Sequence, residues 1–475
     1  MATYGSFPGV RINTQAGGIT SIAIGEEEKL VIFGEANYDA SNDVAGDDAS
    51  LSIDAATPEQ ISSNNNANAK FGTGSELAEA MILARTNGAN VDFLYGVAVP
   101  REDVVDEAIS GASGDSGTLS NVELVEDPSS FEVKDSGGST LDVDIEFRYE
   151  DAPASDGGYA AAPDDTLFVN PLNGAYQVTD GAMATTAATV SYTYSDYNAA
   201  LTAEEVRRVV NETETGIYAV LSDSTSVATS LQAEVSARRD DFQLVNGLCG
   251  AEPNSSQVFE DNEVRGGADA RYDTGAYSKD AAITDESMYL FAPARQEDTD
   301  VTVVGAIGGL FAGNPIDDPI YNDALSGVSA LEQTFTKSDA DNMRGQNVIP
   351  LREAGLIRVV GNRSAAFGES GAVAPDFFTR RITDRVIIIA KQVGDRIIGR
   401  INDQDTRDAA QRLIFAELRE LARDGLIRNN AGDTTNFSVE VTEDATNSNE
   451  VDIDISFTPF GIVKRVDETI TVDTS

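Results

Sequence analysis

The chain contains no histidine and no tryptophan, a single cysteine, and 33 basic against 80 acidic residues among its 475. The missing histidine removes Ser-His-Asp and Cys-His catalytic units, imidazole acid-base pairs and histidine-liganded zinc. One cysteine, Cys249, excludes an intramolecular disulfide. With no basic neighbour to lower its pKa, it reads as a small buried hydrophobe in the apolar segment 242–250. The first residues show no basic segment followed by an apolar run, and no window approaches the ~18 apolar residues needed to cross a bilayer. The expectation is a chain neither exported by such a signal nor anchored in a membrane.

Lysine is also scarce, seven beside 26 arginines, and the formal net charge is −47. Self-repulsion at such a charge destabilises a compact state, and a Debye length of ~3 Å at ~1 M salt removes most of that penalty. The pattern points to work in molar salt and to a salt-adapted archaeal host. A protein that mimics or masks nucleic acid would gather its charge in dense runs, whereas here it is spread among Ala, Gly, Ser and Thr. With 41% apolar and 7% aromatic residues, the chain is expected to be soluble, globular and multidomain.

What is present divides the chain. Residues 1–14 read as an N-terminal arm, and 15–99 as the first part of an α/β body with strand-like runs within 19–33 and a polar surface excursion over 39–68. Leu77, Ala78, Met81, Ile82 and Ala84 form a helical stripe, with Ser75 as cap and Gly88 beyond the end. A strand follows at 91–99. Between 100 and 198, short alternating runs at 122–125, 131–133, 141–147 and 190–194 have the spacing of a small antiparallel sandwich or barrel, read as an inserted outer domain. The body resumes over 199–341: helices at 203–210 and 231–239, a short helix or strand at 216–221, and strands at 242–248, 288–291 and 301–307. Residues 342–461 and 462–475 read as a C-terminal domain and a C-terminal arm. The fold class expected is mixed α+β and α/β.

Two local motifs imitate ligand loops. Gly305, Gly308, Gly309 and Gly313 match neither phosphate-loop spacing and read as a tight chain reversal with close backbone packing. Asp403 and Asp405 begin like a calcium loop, but Arg407 at the fifth position, Ile414 at the twelfth and no glycine at the sixth break it. Asp405 is read instead as a helix cap. No enzyme, cofactor or metal site is expected.

The block from 344 to 428 reverses the charge, with fourteen Arg and one Lys against eleven acidic residues, about +4, leaving about −51 for the rest. Within and beside it follow Asn347-Val348-Ile349, a run at 356–360 ending in Gly361-Asn362-Arg363, the pair Arg380-Arg381, Ile401-Asn402-Asp403 and the segment 418–425. This order resembles the C-terminal domain of contractile-tail sheath proteins of myovirus-like phages, archaeal viruses and related injection devices. Phe7-Pro8-Gly9-Val10 resembles that family's N-terminal arm, and Phe71-Gly72 with Ala89-Asn90-Val91 its first helix and strand. The aromatic residue usual before the glycine at 361 is lacking. About two-thirds of the chain is covered, omitting roughly residues 97–200.

The resemblance implies a homo-oligomer, a helical stack of hexameric rings around a tail tube, with baseplate and tail terminator proteins as further partners and with no nucleic acid or membrane. It implies a virion-tail location after synthesis in the host cytoplasm, and contraction that drives the tube through the cell envelope. The arms, with Phe7, Pro8, Gly9 and Val10 at one end and Val466, Ile470 and Val472 at the other, would add strands to neighbouring subunits; completing their own domain's sheet is the alternative. Phe437, Val439 and Val441 alternate toward Val451, Ile453, Ile455 and Phe457 as a hairpin. Arg380, Arg381, Arg385, Arg396 and Arg400 are candidate contacts to an acidic tube or neighbour, or else partners of Asp376, Asp384 and Asp395. The sheath of a non-viral injection device fits equally, and a halophilic cell-surface protein stays open.

Overall fold

Uninterrupted apolar runs such as Leu30-Val31-Ile32-Phe33 build a strand buried on both faces, the mark of a parallel sheet covered by helices. The computed structural model describes residues 28–39, 42–48, 50–51, 53–109, 116–147, 165–178, 187–252, 281–292, 296, 301–317, 320–331, 337–353, 355–369, 374, 376–428 and 437–460. Of these, 28–313 and 322–375 belong to a larger unit, and 314–321 and 376–460 to a smaller one.

The larger unit starts with β1 (Lys29–Gly34), β2 (Pro58–Gln60), α1 (Asn64–Phe71), α2 (Glu76–Thr86) and β3 (Leu94–Ala98). An insertion follows: β4 (Arg101–Ala108), β5 (Ser116–Thr118), β6 (Glu132–Asp135), β7 (Asp144–Phe147), β8 (Thr166–Val169), β9 (Ala175–Val178) and β10 (Ala187–Ser195). The body then resumes with α3 (Tyr197–Thr202), α4 (Glu204–Arg207), β11 (Thr215–Val220), α5 (Thr225–Asp240), β12 (Leu244–Gly250) and β13 (Met288–Phe291). It ends with α6 (Val304–Gly313), β14 (Asp323–Ala324), α7 (Lys337–Gly345), β15 (Val348–Ile349), β16 (Leu351–Glu353) and β17 (Ile357–Val359).

A seven-stranded sheet in the order β15-β13-β12-β11-β1-β3-β2 forms the centre, parallel except for the edge strand β2. The residues at 216–221, ambiguous in sequence, are strand here, with Gly216 paired to Lys29. The polar region 39–68, expected as an excursion, supplies β2 and the start of α1, whose first turn is capped by the Ser63 side chain on Asn66 N.

The run at 301–307 is not a strand, nor are its glycines a chain reversal. They lie on helix α6, which is buried along Val304–Phe311. Gly305, Gly309 and Gly313 repeat every four residues and meet Ala80, Ala84 and Gly88, which repeat likewise on and just after α2. A Cβ on Gly309 would stand 2.2 Å from the Ala84 carbonyl oxygen, so the two backbones touch where any side chain would hold them apart. The close packing read from the glycines is present; its frame is a pair of helices.

The boundary expected at 342 falls elsewhere. β15 pairs in parallel with β13, Val348 beside Leu290, so residues 348–349 close one edge of the large sheet. The smaller unit takes up the chain at Asp376 and adds the short segment 314–321.

The insertion is two small sheets, β4-β10-β6 and β5-β9-β8-β7, sharing a core that includes Leu124, Val133, Leu167, Val169, Val190 and Tyr192. It is not wholly antiparallel, because β7 runs parallel to β8. The run at 122–125 forms no strand; its β-pairing is the isolated bridge Leu124 to Tyr194.

Candidate functional site

In the large sheet the chain leaves β1 toward β3 on one side and later returns on the other side as β11. In open α/β sheets the crevice at such a switch point, outside the carboxyl ends of the strands, is where ligands bind. Side chains of the insertion stand at this position here. Glu35, just past β1, accepts from Arg101 Nη2 at 2.6 Å and from the Ser195 hydroxyl. Ser222, just past β11, donates to Glu123, and Tyr197 donates to the Leu221 carbonyl at 2.9 Å. Arg101 also lies over the Tyr38 ring, 4.3 Å from its centroid. Burial, reinforced by the Glu35 charge, pushes the Tyr38 phenol well above its ordinary value.

Among the described residues no group of three or more His, Cys, Asp or Glu is placed to hold a metal ion, and no helix is long and apolar enough to cross a membrane. Cys249 is buried, and desolvation pushes its thiol far above the usual range, so it is inert as a nucleophile.

The smaller unit contains α8 (Phe377–Ile397), α9 (Gln404–Arg423), β18 (Phe437–Glu443) and β19 (Val451–Phe457). Asp376 caps α8 by accepting from Thr379 N at 2.9 Å. The cap of α9 is Asp403, which accepts from Thr406 N at 2.8 Å; Asp405, expected in that role, lies inside the first turn. That backbone hydrogen bond holds the Asp403 carboxyl below the usual range. Ile382, Val386, Ile389 and Val393 of α8 pack with Ile414 and Leu418 of α9 and with Phe437, Val439 and Val441 of β18. The hairpin pairs as the alternation predicts, from Phe437 opposite Phe457 to Glu443 opposite Val451.

The arginines of α8 divide into two groups. Arg380 and Arg381 are each 5% exposed. Arg380 donates from Nε and Nη2 to Asp384 Oδ1 at 2.9 and 2.8 Å, and Arg381 donates to the carbonyls of Asn314 and Pro315 at 2.9 and 3.1 Å. Both turn their donors inward, and Arg381 ties Asn314 and Pro315 to the helix. Asp395 pairs with Lys391 at 2.7 Å rather than with an arginine. Arg385 is half-buried with a partner inside the chain, Arg396 is half-buried and Arg400 is exposed. Arg400 stands in the α8–α9 corner between Ile398 and Ile401, 62% and 78% exposed. Sequence reasoning did not single out these isoleucines; the signal available was two β-branched residues flanking Gly399-Arg400 where the helical pattern breaks. The arm residues Phe7, Pro8, Gly9, Val10, Val466, Ile470 and Val472 lie outside the described residues.

No protein-family model matches the sequence, and no curated protein matches it. Among solved structures, its mixed α/β fold is similar to that of chains in contractile sheaths. One counterpart is a chain of the anti-feeding prophage helical sheath in the contracted state, similar over 99% of this chain and 100% of the other, at 13% identity and a TM-score of 0.56. A chain in the sixfold-symmetrised baseplate of the same prophage gives the same coverage, identity and score. The contracted sheath complex of PVC, an extracellular contractile injection system, has a chain similar over 99% of both at 12% identity and a TM-score of 0.51.

Proposed function

We propose that this chain is the sheath subunit of a contractile tail or injection device, polymerising helically as stacked hexameric rings around a tube and shortening to drive that tube through a cell envelope. The observation that carries the reading is the likeness to two contracted sheaths along 99% of the chain, insertion included. The hairpin supports it. β18 and β19 form a sheet of only two strands among the described residues, and their outer edges suit strand addition by arms 1–14 and 462–475 of neighbouring copies. Such head-to-tail contacts do not close and generate a filament. Arg396 and Arg400, with Ile398 and Ile401 beside them, are the proposed contacts to the tube or a neighbour. Baseplate and terminator proteins would bind the ends of the array.

The acidic surplus supports a salt-adapted archaeal setting, and the virion tail is the reading adopted for it. The counterparts from injection devices keep the non-viral reading alongside it, and capsid and packaging genes next to this one would distinguish the two. Electron microscopy of the purified chain in molar salt is the test. Tubes or ringed cylinders are expected, and monodisperse monomers under every condition would sink the proposal.

A further inference from the structure

Strands β14, β17 and β16 form a small antiparallel sheet with one buried face, lined by Leu351, Ile357 and Val359. On its other face the register sets Arg352 directly opposite Arg358, and Arg358 opposite Ala324. Like charges directly opposite on a sheet repel. Elsewhere in this chain an adjacent acid relieves such charge, as Asp341 does for Arg344 at 3.3 Å and Asp384 for Arg380 at 2.8 Å. Here the third strand offers alanine. Arg358 reaches one neutral acceptor, the Asn322 carbonyl at 2.7 Å, and neither guanidinium makes an ion pair among the described residues. Arg352 is exposed, and Leu356 at the hairpin tip, just after the left-handed Gly355, is 53% exposed.

In a chain with 80 acidic residues, a lasting unrelieved pair of arginines beside an exposed leucine is a surface shaped for something outside the molecule. Opposed Cβ atoms ~4.5–5.5 Å apart let one carboxylate accept from both guanidinium groups. We propose that the β16–β17 hairpin docks a carboxylate of a second copy of this chain, Arg352 and Arg358 gripping it together while Leu356 buries apolar surface beside them. Charge decides the occupant: outside 344–428 each copy carries about −51, so a second copy offers carboxylates in large excess over cations there. The inference rests on the sheath reading for the assembly in which copies meet, and names one contact within it.

The test uses the full-length Arg352→Lys chain, mixed from isotopically light and heavy batches, both dispersed at high concentration and as tubes. A carbodiimide joins an amine to a carboxylate it touches, with loss of water to the reagent, and the wild-type guanidinium does not react. An amide from the introduced amine to an Asp or Glu of a chain of the other isotope is expected. Arg352→Glu is expected to raise the protein concentration needed for assembly roughly tenfold while the dispersed chain melts at the wild-type temperature. Tubes without the interchain link, or Arg352→Glu assembling at the wild-type concentration, overturn the docking inference alone. A link without tubes sinks the sheath reading and keeps the inference, and absence of both overturns the two together.

Discussion

Gly309 and Gly394 both lie inside helices, yet a methyl group would act on them in opposite directions. At Gly309 the added Cβ would meet the Ala84 carbonyl oxygen at 2.2 Å and Ala84 Cα at 2.5 Å, both backbone atoms that yield only if α2 and α6 separate. Overpacking of this kind costs about 1–3 kcal/mol, against a helix-propensity gain of about 1 kcal/mol. Gly394 has nothing within 4 Å, so only the propensity gain remains. Gly309→Ala is therefore expected to melt below the wild type and Gly394→Ala above it by thermal denaturation. A Gly309→Ala chain as stable as the wild type would show that the close approach is dispensable. The four-residue spacing of small residues was visible in both segments. Val301 and Val303 hid it, because their alternation imitates a strand, and nothing local reports that Ala80 and Ala84 lie opposite. The inward turn of Arg380 and Arg381 was hidden for a similar reason: the sequence offered the Asp384 pairing four residues on, but not the carbonyls of Asn314 and Pro315, more than sixty residues away.

Among the elements, long periodic segments were the most legible. Helix α2 with its Ser75 cap, strand β13 and the β18–β19 hairpin follow the predicted patterns, since each carries its own period and punctuation. Short elements were not. β15 has two residues, too few for a period to form, and its membership of the large sheet depends on β13, far away in the chain. Asp403 and Asp405 are both cap-type residues, and only the backbone angles, extended at Asp403, decide between them. The hairpin pairs fully within itself, so the C-terminal arm is expected to matter to assembly rather than to folding. Removing residues 466–475 should abolish filaments and leave the monomer's melting temperature unchanged. The contribution lost is roughly 1.5–3 kcal/mol for each of Val466, Ile470 and Val472 fully buried against another chain, before ordering costs. Filament counts beside melting curves check this. Normal filaments would refute strand exchange, and a collapse in monomer stability would mean the arm completes its own sheet.

For the whole molecule, the joint of the insertion and the surface charge are the two features to test. Asp196 N donates to the Pro100 carbonyl at 2.8 Å, so the chain leaves and re-enters the body at one place. Deleting 101–195 and joining Pro100 to Asp196 through a short glycine linker should leave a folded body. Its melting temperature should fall by a few degrees, because Glu35 loses Arg101 and Ser195, and Ser222 loses Glu123. An unfolded product would make the insertion part of the body's core. Circular dichroism from 3 M to 0.1 M salt tests the acidic surplus: the melting temperature should drop as the Debye length grows from a few Å to ~10 Å, and an unchanged value would remove the argument for salt adaptation. The sequence by itself determined the charge regime, the lack of histidine chemistry, the amphipathic helices and the alternating hairpin, because composition, periodicity and capping act over a few residues. The glycine run as a helix laid against α2, residues 348–349 closing the large sheet, Arg380 and Arg381 facing inward and Arg352 standing opposite Arg358 all came from the tertiary structure. Each of these depends on which distant backbone lies alongside, a long-range property that no local pattern encodes.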